Sequence, residues 1–316
     1  MKSSKRYRFS RLFFFTCALV ITSLVAFAAR QSSRNQSNKP VAENEQGMRI
    51  ERLSAPAKPT SEAAPRSSVF DLAARRNAEL QAGLNWQFGG KVQRGWQLYT
   101  PLIAKTIDVK TAASSNEFAA RLARWQQTNG LQSHGMLDNY TMSQIISVWQ
   151  SRRIQDRAYP SPDQLVTIPV TECYDPERPA ELRQVERRAY DAYKRMIAAA
   201  AADPSLGLQV TRNGQLAADE KFLKVVSAFR SREYQEHLRQ QSPHSGRAGL
   251  AVNSPHFTGR ALDLYVGGEP VSTKDENRAL QTQTKVYQWL VQNAGRFGFQ
   301  PYFYEPWHWE YVGEGR

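Results

Sequence analysis

The chain has one long apolar run, Leu12 to Ala29, placed directly after the cations Lys2, Lys5, Arg6, Arg8 and Arg11. The next stretch, residues 31–68, holds no aromatic residue and carries Pro40, Pro56, Pro59 and Pro65. It cannot bury enough surface to offset the entropy of ordering it, so it reads as a disordered linker. This layout confines the folded core to the residues beyond 68. A cationic start before an apolar run is an export signal. The positive flank stays inside and the rest of the chain is sent outward. At 18 residues the run sits between a signal peptide and a spanning helix. Ala26-Phe27-Ala28 resembles a small-x-small cleavage site. Residues 1–30 are therefore expected to be a signal peptide or a membrane anchor. The protein is placed in the periplasm or at the cell surface, anchored or released. An extended linker would let the folded part reach away from a membrane.

The 316 residues suggest two domains, or one large one, at roughly 100–200 residues each. Only two cysteines occur, Cys17 in the apolar run and Cys173, which excludes a disulfide scaffold and a cysteine-rich zinc module. Cys173 is expected to be a small buried hydrophobe. The net charge of +13 admits nucleic acid, an anionic membrane or an acidic polymer as partner. Residues 1–30 contribute six cations and no acids, leaving 36 Lys+Arg against 29 Asp+Glu, or +7, for the rest. No interleaved basic and aromatic motif or recognition-helix pattern is present, and no nucleic acid is expected as partner.

Residues 81–155 read as a small all-α module. Phe118, Leu122 and Trp125 share one helix face, Gly130 stops that helix, and Gly135 makes a tight loop. Asp138 or Asn139 then caps a second helix with Met142, Ile145, Ile146 and Trp149. His134, in the loop, is expected to be exposed rather than a metal ligand. Five prolines between 156 and 180 mark an irregular connection. From there the pattern is mixed: helices over 181–202, Ser231–Gln241 and 280–295, and strands over Leu208–Val210, Leu223–Phe229, Ala261–Val266 and Trp307–Val312. That alternation suggests α+β, with a small antiparallel sheet, over residues 165–316.

Among the five histidines, two sit in unusual surroundings. His256 lies in Ser254-Pro255-His256-Phe257-Thr258-Gly259-Arg260-Ala261-Leu262-Asp263, where a glycine turn separates it from a carboxylate in the following strand. His308 lies in Glu305-Pro306-Trp307-His308-Trp309. Two imidazoles and one carboxylate make a three-ligand zinc site with an open fourth position. Zinc there polarises a carbonyl and lowers the pKa of water to roughly 7. Glu305 is the candidate general base, because Glu-x-x-His delivers a base and a ligand from one short segment. His244 is a competing ligand candidate, in a loop near the cleft. His237 is most simply exposed. Trp307 and Trp309 are expected in walls and core.

The Ser-x-His-x-x-Gly-x-Ala-x-Asp pattern from Ser254 to Asp263, with Glu-Pro-Trp-His-Trp from Glu305, resembles the zinc D-alanyl-D-alanine carboxypeptidases of the VanY type. The likeness covers about 185–312. It implies His256, Asp263 and His308 as zinc ligands, Glu305 as the base, and a peptidoglycan stem peptide as substrate. Val225-Val226-Ser227-Ala228-Phe229-Arg230-Ser231 is similar to that family's strand ending in an aromatic, Arg and Ser. Arg230 is thereby expected at the substrate or at transition-state charge, with Gln235 and Ser254 as further substrate contacts. The stretch from Phe118 through Gln126, Gly130, Gly135 and Thr141 to Ile145 is similar to the second half of the peptidoglycan-binding helical domain, which implies a module holding cell-wall glycan. The remaining +7 suits an anionic wall polymer. The same resemblance leaves open a D,D-dipeptidase, an endopeptidase, or a non-catalytic wall-binding protein.

Overall fold

The structure is a computed structural model and describes residues 69–241 and 253–314. The expected export segment 1–30 with Cys17, the linker 31–68 and His244 lie outside the described residues. The described residues belong to one compact unit. No described helix is long and apolar enough to cross a membrane.

The upstream part runs α1 (Asp71–Gly83), β1 (Asn85–Phe88), β2 (Lys91–Arg94), α2 (Thr100–Thr106), α3 (Asn116–Thr128) and α4 (Asn139–Ser151). The module expected to be all-α thus contains a β-hairpin. Gly89 and Gly90, at φ of 58° and 79°, form its two-residue turn. Two successive positive φ values are what such a turn requires, and glycine adopts them without steric cost. The helices match the sequence reading. Ser115 caps α3 by accepting from the Phe118 amide at 3.0 Å, and Asp138 caps α4 by accepting from the Thr141 amide at 2.8 Å. Past α3 the Leu131 amide returns to the Gln126 carbonyl at 2.8 Å, with Gly130 in the left-handed region. Gln126 is fully buried. Its amide donates to Met136 O (3.0 Å) and Thr141 Oγ1 (2.9 Å), while its oxygen accepts from the Gly135 amide (2.8 Å). Asn77 of α1 clasps the same loop through Gly135 O and the Leu137 amide. The Gln, Gly and Thr of the sequence motif therefore have a structural cause.

The downstream part contains β3 (Leu165–Thr167) paired with β4 (Gln184–Glu186), then α5 (Arg187–Ala201), β5 (Val225–Ser227), α6 (Arg232–Gln241), β6 (Ala261–Leu264), α7 (Asp275–Gln283), α8 (Lys285–Asn293), β7 (Phe299–Pro301) and β8 (His308–Tyr311). Strands β5, β6, β8 and β7 form an antiparallel sheet in that order. The architecture is α+β with small antiparallel sheets.

Three expected elements differ. The helix at 181–202 starts only at Arg187, because residues 184–186 pair with β3. The helix at 280–295 is two helices broken at Thr284, where ψ is 144° and the hydroxyl accepts from the Tyr287 amide at 3.2 Å. That threonine caps α8 instead of continuing α7. Leu208–Val210 forms no strand; Val210 makes only an isolated bridge to Leu216.

In β6 and β8, side chains alternate between two faces. Leu262 pairs with Trp309 across the sheet, and α8 lies against this side, with Tyr287 meeting Trp309 edge-on at 6.3 Å. One continuous apolar cluster joins Trp96, Ile103, Phe118, Leu122 and Trp149 to Val225, Leu262 and Trp309. The opposite face presents Ala261, Asp263, His308 and Glu310. Cys173 is buried, and burial raises its thiol pKa.

Candidate metal centre

Ser254 opens a short 3-10 turn, Pro255–Thr258, with Pro255 at its first position and Ser254 Oγ accepting from the His256 amide at 3.3 Å. Gly259 closes it at φ 67° and passes the chain into β6. The turn therefore fixes where His256 stands relative to Asp263. Asp263 and His308 face each other as partners across β6 and β8. The motif's alanine, Ala261, is the partner of Glu310.

The three expected ligands converge. His308 Nδ1 is 2.9 Å from Asp263 Oδ1, and His256 Nε2 is 3.3 Å from Asp263 Oδ2. One donor atom from each lies within 4.8 Å of the other two, and all three residues are buried. They are the one such group of His, Cys, Asp and Glu among the described residues. Ligands held roughly 2.0–2.2 Å from a tetrahedral zinc lie roughly 3.3–3.6 Å apart, so the spacing fits the ion with small adjustments. The donor chemistry fits as well. His256 Nδ1 faces the Ala228 carbonyl at 2.7 Å and donates to it, which leaves the Nε2 lone pair for a metal. Burial and the Arg230 cation push His256 down to about 4, so the ring is neutral at pH 7. For His308 burial works downward, but hydrogen bonds to Asp263 and Glu310 outweigh it and lift the ring to about 9. Burial works upward on Asp263, yet the two imidazoles hold its carboxyl well below the usual range.

Glu305 sits in the turn before β8, where its amide bonds Tyr302 O and its carbonyl accepts from the His308 amide at 2.9 Å. Burial pushes its carboxyl up to about 7, against the favourable charge of His308. Such a group accepts and returns a proton near neutral pH. The turn is braced from outside. Phe88, at the hairpin turn, packs on Phe303 at 4.7 Å and Tyr304 at 5.4 Å. Arg278 of α7 donates to Tyr304 O at 3.3 Å and Tyr99 Oη at 3.1 Å.

Arg230 reaches the same place from the end of β5. Its Nη2 donates to Asp263 Oδ2 at 3.0 Å, its Nε to Ser227 Oγ at 3.0 Å, and its Nη1 to Gln235 Oε1 at 3.5 Å. Gln235 and Ser254 are both buried, Gln235 beside Arg230 and Ser254 under His256. His134 bonds within its own loop and His237 is exposed; neither joins the centre. Trp307 and Trp309 are buried in the core. A cavity of about 350 Å³ opens between α2, α4 and α8, lined by Leu102, Trp149, Leu290 and Trp309, and includes none of the centre's residues.

The sequence reading gave no role to Glu310. It is fully buried, two residues beyond His308 on the same strand face, and its Oε1 lies 3.1 Å from His308 Nε2. Despite burial, its charge is kept by His308 and Arg153, which hold its carboxyl near 2. The available signal was the i, i+2 spacing in a strand.

Residues 182–314 match the family model described as VanY: D-alanyl-D-alanine carboxypeptidase. That match is to the downstream segment alone. Solved structures similar to the chain include the LD-carboxypeptidase LdcB, described for the molecular basis of peptidoglycan recognition, at 26% identity and a TM-score of 0.34, covering 50% of this chain and 71% of that one. Another is a mutant of the vancomycin-resistance D,D-pentapeptidase VanY from a VanB-type cassette, in complex with Zn(II), at 25% identity and a TM-score of 0.27, covering 41% of this chain and 74% of that one. A third is VanYB in complex with D-alanine-D-alanine, at 25% identity and a TM-score of 0.26, covering 41% and 72%. No curated protein matches. The segment that matches the VanY model begins downstream of α4, so the hairpin and the four upstream helices lie outside it.

Proposed function

We propose that the chain is a zinc-dependent D-alanyl-D-alanine carboxypeptidase, exported to act on peptidoglycan stem peptides, with residues 165–316 as its peptidase domain. The observation that carries this reading is the convergence of the donor atoms of buried His256, Asp263 and His308. Zinc would be held by His256 Nε2, an Asp263 oxygen and His308 Nδ1, and when bound it supplies a Lewis acid and activated water.

The chain's own groups supply the rest. Glu305 takes a proton from the attacking water and hands it to the amine of the departing D-alanine. Its raised pKa suits both transfers. Arg230 places fixed positive charge beside Asp263, where it balances negative charge developing on the scissile carbonyl oxygen. Ser254 and Gln235 complete the substrate side. The carbonyl of Ala228 and the carboxylate of Glu310 fix the two imidazoles in their orientations. The helical part of 81–155 would hold wall glycan and raise local substrate concentration; the motif from Phe118 to Ile145 is what supports that role.

The test uses purified full-length protein with zinc and a pentapeptide ending in D-Ala-D-Ala. Wild type should release one D-alanine per peptide, and Glu305→Gln should lose roughly 10²–10⁴-fold in rate. Equal release by both proteins would overturn the reading.

A further inference from the structure

Glu310 is a buried carboxylate whose two oxygens are both held by a segment outside the one that matches the VanY model. Arg153 Nε donates to Oε1 at 3.0 Å, and Arg153 Nη2 donates to the same oxygen. The Ile154 amide donates to Oε2 at 2.8 Å. Arg153 is itself fixed: Nη1 donates to Gln150 Oε1 at 2.8 Å, and the guanidinium lies 3.9 Å over the Tyr302 ring. Ile154 is 3% exposed. Both residues come directly after α4.

A buried carboxylate is costly unless it is paired and hydrogen-bonded. Here the pairing also removes its freedom to turn. With Oε2 pinned by an amide and Oε1 by a guanidinium, Oε1 also meets His308 Nε2 at 3.1 Å. A carboxylate so placed keeps the proton on Nε2 and sets the ring angle, which directs the Nδ1 lone pair at the metal position.

We propose that Arg153 and the Ile154 amide are a positioning element for the metal ligand His308, acting through Glu310, so that metal affinity of the centre depends on the segment after α4. This rests on the reading of the centre as a zinc site. A salt bridge of purely structural purpose would change stability and leave the metal's coordination alone; a positioning role changes the coordination.

The experiment compares full-length wild type, Arg153→Met, which keeps an apolar stem against Tyr302, and Arg153→Lys, which keeps the charge but cannot fork. Zn(II) affinity is measured by competition with a chelating dye, ligand geometry by the visible absorption of Co(II)-loaded protein, and folding by thermal denaturation of the metal-free form. Arg153→Met should bind Zn(II) roughly 10–100-fold more weakly and shift the Co(II) bands, with Arg153→Lys between it and wild type. Wild-type affinity and an unchanged Co(II) spectrum in Arg153→Met overturn the proposal, whatever its melting temperature. Should Arg153→Met not fold, Arg153→Lys decides: weaker binding with shifted bands supports the proposal, and wild-type values overturn it. A wild-type protein that takes up no stoichiometric zinc overturns the metal-centre reading and this inference with it. Equal binding by wild type and variants overturns this inference alone.

Discussion

His308 Nδ1 lies 2.9 Å from Asp263 Oδ1 because the two residues are direct partners across β8 and β6. A sheet register, not a loop, therefore sets the spacing of two of the three ligand candidates. Replacing Asp263 by Ala leaves two buried imidazoles and Arg230 facing one another. Breaking a buried charge pair from one side costs about 3–5 kcal/mol. Asp263→Ala should lose stoichiometric zinc by elemental analysis and lower the denaturation midpoint; a variant that keeps both speaks against the centre.

Glu305 works as a proton acceptor only when ionised. Burial lifts it to about 7 in the metal-free protein, and a nearby dication would pull it down. The acid limb of the kcat/KM profile for D-alanine release should therefore have its midpoint at or below pH 7, and Glu305→Gln should abolish that limb. An acid limb centred well above pH 7 contradicts the assignment.

His308 is raised from its ordinary 6.5 to about 9 in the folded, metal-free protein. The folded state binds the proton more tightly, so its contribution to stability is full below pH 6.5. It is lost as pH rises through about 9. In a chelator the melting temperature should fall between pH 7 and 9.5. Zinc should lessen that fall, since it binds the folded form and needs His308 deprotonated at Nδ1. A chelated protein more stable at pH 9.5 than at pH 7 contradicts this.

Gly259 holds φ at 67°, and a Cβ there would lie 3.0 Å from the Glu186 amide nitrogen and 3.2 Å from Glu186 Cβ. Its carbonyl also accepts from that amide at 2.9 Å. A side chain in the left-handed region costs about 1–2 kcal/mol before the clash is counted. Gly259→Ala should lose at least that in chemical denaturation and also weaken zinc binding, because the same turn carries His256.

Gln126→Ala should destabilise by about 1–3 kcal/mol, since it strands the buried Gly135 amide and frees Met136 O and Thr141 Oγ1 from their partner. Zinc content should not change. A melting curve like that of wild type would show that the loop is held by other groups.

The cluster of His256, Asp263 and His308 was legible because a metal site demands fixed residue types at short spacings: an imidazole before a glycine turn, a carboxylate in the next strand, and a second imidazole in the short Glu-x-x-His segment. The helices of 116–151 were legible from apolar periodicity and from Gly130 and Asp138 at their ends, while the Ser115 cap was not read. The β1–β2 hairpin escaped because only Trp86 and Phe88 mark β1's inner positions, although Gly89-Gly90 was a turn signal. The break at Thr284 escaped because Val286, Tyr287 and Leu290 continue an apolar helix pattern through a residue whose hydroxyl starts a new helix. Arg153 was beyond reach for a different reason. Its partner Glu310 lies 157 positions away, and no local pattern encodes a pairing made by tertiary packing.

Phe88 and Arg278 hold the Glu305 turn through Phe303 and Tyr304, contacts made within the fold itself. The entropy of fixing Glu305 is thus lost on folding rather than on binding. That turn behaves as an anvil, not as a lid. In the proposed peptidase, selectivity among substrates then has to come from other residues, and a sequence change at the hairpin turn should alter the rate of D-alanine release while leaving zinc content unchanged.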